Sequence, residues 1–497
     1  MNGSEARRPF AWGPVLFAAG LMFLILIAFA GRYGYHRDEL YFLACAKHLA
    51  WGFVDQPPVT PMIAWVSEAI APGSLVLLRT WPALFTAATL VLTVLCAREL
   101  GAGRLGQTAA AVAVAVSPGL YGAGHMLSTS TLDITLWVGL TFLVLRLLRT
   151  RDVRLWVPIG AVVGVGLLNK WTIGFLVAGL VVGFLVGADR RLLANTWFLG
   201  ACVVAFVLWL PNLLWQGAHG WPQLELFANI QEGASGVGES FLWIPLQFII
   251  TGPLGTPLWI AGLLRVLRPG EGRPWRALGI AYVALAVPLA VAAGDKPYYV
   301  AALYLPLMGA GAVPFERWWA RNADRVRRVA VPVALGALAL ALLPGVLPIL
   351  PARMLVDVPL QELNYDLGEQ IAWPTFVRQI EHAYAAIPTE ERAATIVLTG
   401  SYGESGAIER FGRGIVPYSG HNNYWWWRTP PAGTTTVLAV GLFPEEYLRE
   451  FFGQVELIGR LDNGLGVETE EQGAPIWLAM EPREPLPEMW PDLRHYG

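Results

Sequence analysis

The stretch Phe17-Ala18-Ala19-Gly20-Leu21-Met22-Phe23-Leu24-Ile25-Leu26-Ile27-Ala28-Phe29-Ala30 carries no charge. Past Gly31-Arg32-Tyr33-Gly34-Tyr35 the chain turns to His36-Arg37-Asp38-Glu39-Leu40-Tyr41. Extended back to Ala11, the run is long enough to cross a bilayer, because about 20 residues rising ~1.5 Å each cover the hydrocarbon core. Only a helix satisfies its own backbone hydrogen bonds there. Two adjacent carboxylates therefore fall at a membrane edge. A charge inside the hydrocarbon costs roughly 3 kcal/mol or more, so Asp38 and Glu39 belong in a wet interfacial pocket, where a carboxylate can act as a base. Taken alone, the pair is equally compatible with solvated loop acids.

Similar apolar runs recur along the chain. With 55% hydrophobic and only 14% charged residues, the composition describes a polytopic helical membrane protein, and a net charge of −2 leaves no electrostatic basis for a nucleic-acid partner. About eleven helices are expected, near 11–31, 76–97, 107–126, 132–148, 156–169, 171–187, 196–214, 241–264, 277–293, 298–314 and 329–349. No internal repeat is visible, which argues against a transporter built from duplicated halves.

Arginines set the expected orientation, since positive loops stay in the cytoplasm. One set of alternate helix ends carries Arg7 and Arg8, Arg98 and Arg104, Arg146 to Arg154, Arg190 and Arg191, Arg265 to Arg276, and Arg317 to Arg328. The opposite ends carry only Arg32, Arg37, Lys47, Arg79, Lys170 and Lys296. This asymmetry predicts a multi-pass protein of the cell membrane with a cytoplasmic amino terminus and an outer Asp38 loop. An odd number of helices then sends the tail to the outer face. Composition shifts near Pro348-Ile349-Leu350-Pro351 to an ordinary soluble mixture. The expected domains are thus a transmembrane part, residues 1–350, and a small extracytoplasmic α/β module, residues 351–497. Strands are expected at Thr395–Thr399 and Thr435–Val440 and helices at Trp373–Ala386 and Glu445–Phe452. Gly400-Ser401-Tyr402-Gly403-Glu404-Ser405-Gly406 misses the dinucleotide-binding spacing and reads as turn chemistry. Cys45, Cys96 and Cys202 predict no disulfide.

The outer loop contains a helical stretch near 38–50, which puts Asp38 and Glu39 in a first turn, where amide dipoles favour negative charge. Asp133 brings a third acid to the outer start of another helix; its simpler role is that of an N-terminal helix acid. Lys170 in Leu168-Asn169-Lys170-Trp171 and Lys296 in Gly294-Asp295-Lys296-Pro297-Tyr298-Tyr299 join that face, either as snorkelling cations or as partners of a phosphate. Acids and isolated cations at one interface suit a reaction in which a base activates an acceptor while a cation steadies a departing phosphate. The histidines show no close metal-ligand spacing.

Six motifs in order carry a resemblance: His36-Arg37-Asp38-Glu39-Leu40-Tyr41, Val54-Asp55-Gln56-Pro57-Pro58, Leu168-Asn169-Lys170-Trp171-Thr172, Pro211-Asn212-Leu213-Leu214-Trp215-Gln216 with His219-Gly220-Trp221-Pro222, Lys296-Pro297-Tyr298-Tyr299, and Tyr418-Ser419-Gly420-His421-Asn422-Asn423-Tyr424-Trp425. In these the chain resembles the family 39-type membrane glycosyltransferases of the GT-C superfamily, the group of protein O-mannosyltransferases, lipid A aminoarabinose transferases and rhizobial galacturonosyltransferases. The resemblance implies a GT-C fold and a polyprenyl-phosphate sugar donor, with a lipid, glycan or protein acceptor and membrane lipids as surroundings. It implies that Asp38 is the base, Glu39 its neighbour in acceptor or sugar contact, and Asp133 the second acidic residue. Asp55, Gln56, Tyr298 and His421 are implied as substrate contacts. Gln56 stands where the aminoarabinose transferases have a lysine, so the phosphate contact passes to Lys170 and Lys296. The motifs require no cofactor, and the outer acids establish no divalent-metal site. A single displacement would invert the anomeric centre. The alternative from another class is a transporter or flippase for a lipid-linked glycan.

Overall fold

The computed structural model describes residues 8–187, 189–233, 240–292, 300–322 and 324–497. The chain divides into two compact units, one of Met1–Ala30, Arg79–Leu214 and Gly233–Val346, the other of Gly31–Leu78, Trp215–Glu232 and Leu347–Gly497.

The first unit is helical. Among the described residues six helices are long and apolar enough to cross a membrane: Trp12–Phe29, Leu75–Glu99, Thr129–Thr150, Thr196–Ala218, Pro245–Leu267 and Arg328–Gly345. The apolar helices Val153–Leu167, Ile173–Val186 and Arg276–Leu289 fall short of that length. Small residues let these helices approach closely, as they do where lipid supplies no hydrophobic drive. A Cβ added at Gly262 would lie 1.9 Å from the Leu307 carbonyl oxygen, and one at Gly311 only 1.8 Å from that of Leu258. The single helix expected over 107–126 is instead two, Arg104–Ala115 and Pro118–His125. Pro118 has no N–H and pushes Ser117 out of the helical region, to ψ 115°, so hydropathy runs on where the backbone breaks.

The second unit is built on a five-stranded sheet in the order β2-β1-β3-β5-β4. Its strands are β1 (Thr395–Thr399), β2 (Pro417–Tyr418), β3 (Thr436–Val440), β4 (Phe452–Arg460) and β5 (Pro475–Pro482). β1 runs parallel to β2 and β3, whereas β5 is antiparallel to both β3 and β4. Ile396, Leu398, Val437, Ala439, Trp477 and Ala479 fill the core of one face. β1 and β3 are buried throughout, which is why they stand out as unbroken apolar runs. β4 is mostly exposed and carries no such signal.

The segment that follows the first helix, Gly31–Leu78, folds into this unit. Its helix Arg37–Lys47 packs on the helix Tyr402–Phe411, and the glycines of the segment read as turn chemistry make the contact. A Cβ at Gly403 would sit 2.7 Å from the Arg37 Cβ, and one at Gly406 2.9 Å from the Leu40 Cβ. These two glycines are helix-packing residues. The turn itself is confined to Gly400 and Ser401, where Ser401 and Glu404 form a reciprocal cap.

Candidate active site

His36 begins the helix that carries Asp38. Its Nδ1 accepts the Asp38 N–H at 3.1 Å, while the Glu39 carboxylate accepts the His36 N–H at 2.9 Å, so the two cap each other's backbone. Glu39 is wholly buried by this role. Asp38, one residue earlier, turns outward with 35% of its side chain exposed. The Tyr402 hydroxyl donates to its Oδ1 at 2.8 Å, and Oδ2 lies 3.9 Å from His36 Nδ1. On the far side of the imidazole, His36 Nε2 is 3.5 Å from Asp366. Burial works against a proton on His36, but Asp366 and the Asp38 charge outweigh it and raise the imidazole above its ordinary value.

Tyr402 is itself held in place. His421 Nδ1 accepts the Tyr402 N–H at 3.3 Å, and the ring centroids stand 4.7 Å apart. With Nδ1 accepting, the His421 proton belongs on Nε2, 3.0 Å from the Gly497 carbonyl. Burial, then the neighbouring His495, lowers the His421 imidazole to about 3, so it stays neutral. Both of its nitrogens are thus committed inside the protein. Arg37 donates to Glu470 and to the Tyr365 hydroxyl, the latter at 2.7 Å, and its guanidinium lies over the rings of Tyr365 and Tyr402. Behind it, burial pushes Glu369 up to about 7 and Glu404 to about 8.

Asp55 takes a hydrogen bond from the Tyr41 hydroxyl at 2.9 Å, and burial pushes it up to about 7. Asn423 draws the same region together: its Oδ1 accepts the Val54 N–H at 2.7 Å and lies 3.2 Å from the Tyr41 hydroxyl. Gln56 is buried with its amide nitrogen toward Cys45.

In the helical unit, Asp133 is only 8% exposed and both carboxylate oxygens are engaged. Trp137 Nε1 donates to Oδ1 at 3.1 Å and the Thr172 hydroxyl to Oδ2 at 2.7 Å. Lys170 donates to the Ser130 hydroxyl at 2.9 Å, and its charge acts on the Asp133 carboxylate. The flanking residues fix this turn: Asn169 Nδ2 donates to the Thr129 carbonyl and Trp171 Nε1 to Asn212 Oδ1. Lys296 and Tyr298 lie outside the described residues.

The sequence matches the family described as dolichyl-phosphate-mannose-protein mannosyltransferase over residues 55–215. No match is found among curated proteins. Among solved structures, apo ArnT from Cupriavidus metallidurans shares 17% identity at a TM-score of 0.59, with 94% of this chain and 98% of that one covered. The same protein bound to undecaprenyl phosphate gives a TM-score of 0.58, again at 17% identity, covering 94% and 97%. Arabinofuranosyltransferase AftD from Mycobacteria gives 0.50 at 14% identity, over 95% of this chain and 42% of that one. The chain has the GT-C membrane fold that ArnT shows.

Within the GT-C fold the sequence-expected residues separate by environment. Asp38 is open to solvent, Asp133 is enclosed, Glu39 and Gln56 are buried, and His421 supports Tyr402. Sequence reasoning missed Tyr402, Asp366 and Asn423 as neighbours of the acidic motif. For Tyr402 a signal was present: Ser401-Tyr402-Gly403-Glu404 has the capping-box spacing, which places a tyrosine at the first position of a helix. Asp366 sits in a short 3₁₀ segment of unremarkable composition that offers no such signal.

Proposed function

We propose that this protein transfers a sugar from a polyprenyl-phosphate donor to a hydroxyl of an extracytoplasmic lipid, glycan or protein acceptor. The observation that carries the reading is the half-exposed Asp38 carboxylate, held by Tyr402 and by the capped start of its helix, in a chain whose fold resembles ArnT bound to undecaprenyl phosphate.

The proposed chemistry follows from charge accounting. A polyprenyl phosphate leaves as an anion and needs electrostatic steadying more than a proton, whereas the attacking hydroxyl must lose one. Asp38 takes that proton as the hydroxyl oxygen bonds to the anomeric carbon and the bond to the phosphate oxygen breaks. One displacement at one carbon inverts it. Tyr402, kept in place by His421, fixes the carboxylate; His36 and Glu39 hold the helix start on which it sits. Lys170 supplies the cation for the phosphate, with Asp133 and Ser130 setting its position. Lys296 and Tyr298 are assigned to the donor side on their motif. The arginine asymmetry supports a cytoplasmic amino terminus and an outer tail, residues 351–497, beyond a transmembrane part, residues 1–350.

Mass spectrometry of envelope lipids and glycans from a deletion strain is expected to show a lost hexose- or pentose-sized increment. Complementation with the wild type restores it and complementation with Asp38→Asn does not, at equal expression. Full restoration by the variant would remove Asp38 as the base. For orientation, in a background lacking Cys202, a cysteine replacing Glu450 is expected to react with an impermeant maleimide in spheroplasts and one replacing Arg321 is not. The reverse pattern would overturn the assigned sidedness.

A further inference from the structure

His36 meets Asp38 twice, at its backbone and at its carboxylate. Its Nδ1 accepts the Asp38 N–H at 3.1 Å, and the same atom lies 3.9 Å from Asp38 Oδ2. A neutral imidazole has one lone pair and one N–H, so a ring that accepts through Nδ1 carries its proton on Nε2. That side faces Asp366, whose Oδ1 is 3.5 Å away, and among the described residues no hydrogen bond competes with this contact at Nε2. The ring is buried, but protons reach it past Asp38 and Asp366, whose side chains are 35% and 37% exposed. A proton added at Nδ1 changes both contacts with Asp38 at once. Nδ1–H cannot accept, so the cap on the Asp38 N–H is lost and two donors face each other. Asp38 Oδ2 can take the new hydrogen bond, a closure of about 1 Å from the present separation.

We propose that His36 is a proton-operated latch on the Asp38 base, neutral and open as a helix cap, protonated and closed onto the carboxylate, with Asp366 setting the pH at which it closes. Closed, it fills the oxygen that Tyr402 leaves free. Asp38 then has both acceptor sites taken, the condition in which Asp133 is found. The groups that act on the ring are Asp38 and Glu39 on its own helix, and Asp366 and Glu369 on the 3₁₀ segment Tyr365–Gln370. Glu369, pushed up to about 7 by burial, counts only where it is ionised. From the helix Tyr402–Phe411 comes the neutral Tyr402 hydroxyl, bound to Asp38, while the Arg37 guanidinium turns away to Glu470 and Tyr365. Acids thus outweigh burial and favour the proton on His36. An ordinary carboxylate is protonated only near pH 4 and an ordinary imidazole near about 6.5, so a latch of this kind moves the acid side of the activity profile above about 6.5. The inference rests on the transferase reading, since it regulates that same base.

The test uses full-length protein in detergent with ¹³C at the histidine Cε1 positions, and His36→Asn identifies the His36 signal among the seven histidines by its loss. Its titration midpoint is expected above about 6.5. Asp366→Asn and Asp38→Asn are each expected to lower it by about one pH unit or more, as removal of a nearby opposite charge does. A midpoint at or below about 6.5, or one that neither variant moves, would overturn the latch. The second readout is the mass increment restored in the deletion strain during incubation at about pH 5.5 and at about pH 8, where wild type is expected to form at least about tenfold less at the lower value. His36→Asn cannot be charged, yet it keeps an acceptor for the Asp38 N–H in a residue favoured at that helix position. It is expected to narrow the ratio to about threefold or less. Asp366→Asn alters a partly exposed side chain, should narrow the ratio in part, and serves should His36→Asn fail to fold. Equal ratios in wild type and both variants would overturn the latch and leave the transferase reading intact. A deletion that removes no increment would instead count against the transferase reading, and the titration alone would then decide whether His36 closes on Asp38.

Discussion

Asp38 and Asp133 are both aspartates near the start of a helix, one in each unit, and the fold treats their carboxylates in opposite ways. Asp133 is nearly buried and both its oxygens are filled by Trp137 and Thr172. Asp38 has 35% of its side chain exposed, one oxygen held by Tyr402 and the other free to face solvent beside His36. A base must reach the proton it removes. An aspartate whose acceptor sites are already occupied orients its neighbours instead. Residue type is shared, but Asp38 lies in the first turn of its helix and Asp133 one turn further in, so the difference in role rests on depth in the helix, burial and partners.

That contrast is broken most directly by amide substitutions. Asp38→Asn keeps the Tyr402 hydrogen bond and loses basicity, so kcat is expected to fall by about 10²–10⁴ with Tm unchanged. Asp133→Asn is expected to do the reverse in kind: it removes a charged acceptor from two buried donors and costs about 1–3 kcal/mol of stability. Turnover assays and thermal melts on both variants decide the matter. Should Asp133→Asn abolish turnover with an unchanged melt while Asp38→Asn stays active, the two roles are exchanged.

A smaller effect is expected at Lys170. Lys170→Met keeps the apolar stem and loses the charge, and a hydrogen bond to a charged group contributes about 1.5–3 kcal/mol. The donor KM should therefore rise roughly 10- to 100-fold with acceptor KM little changed, and Lys170→Arg should be partly active. A donor titration identical to wild type would leave Lys170 as a partner of Asp133 and Ser130 only. Smaller again is Tyr402→Phe, which deletes the hydroxyl on Asp38 but keeps the ring against Tyr41, 4.6 Å between centroids. A kcat about tenfold lower, with both KM values and the Tm unchanged, is expected for a residue that only positions the base. A variant with full kcat would show that the capped helix start alone holds Asp38.

Much of the helical unit could be read from hydropathy, because membrane-length apolar runs have few alternatives. The break at Ser117-Pro118 was the exception, since a proline interrupts the backbone without interrupting the hydrophobicity. In the other unit β1 and β3 were legible because they are buried on all sides. β4 was not, because an exposed edge strand tolerates polar residues such as Gln454 and Glu456 and loses the apolar signature. The acidic motif was legible as chemistry, yet its neighbours Tyr402 and Asp366 lie 364 and 328 positions further along the chain. No local pattern encodes a contact of that separation. Gly403 and Gly406 show the same limit: a glycine required for helix contact and one required for a turn look alike until the partner helix is known.

Asp55 offers the finest test of how burial sorts these carboxylates, through the pH dependence of stability. Burial pushes Asp55 from 3.8 to about 7 and Glu404 from 4.5 to about 8, so both hold a proton in the fold over a range in which the unfolded chain has released it. The stabilisation is complete below the unfolded values and declines as pH rises, ending near pH 7 for Asp55 and near pH 8 for Glu404. Between these limits each group lowers stability by about 1.4 kcal/mol per pH unit. Asp55→Asn keeps an acceptor for the Tyr41 hydroxyl and removes one titrating group. Relative to wild type, the variant should therefore gain stability steadily from pH 5 to pH 7 and hold a constant margin above it. Parallel melting curves across that range would mean that Asp55 stays ionised beside Tyr41. The carboxylate would then be solvated well enough to belong with Asp38 and not with Asp133.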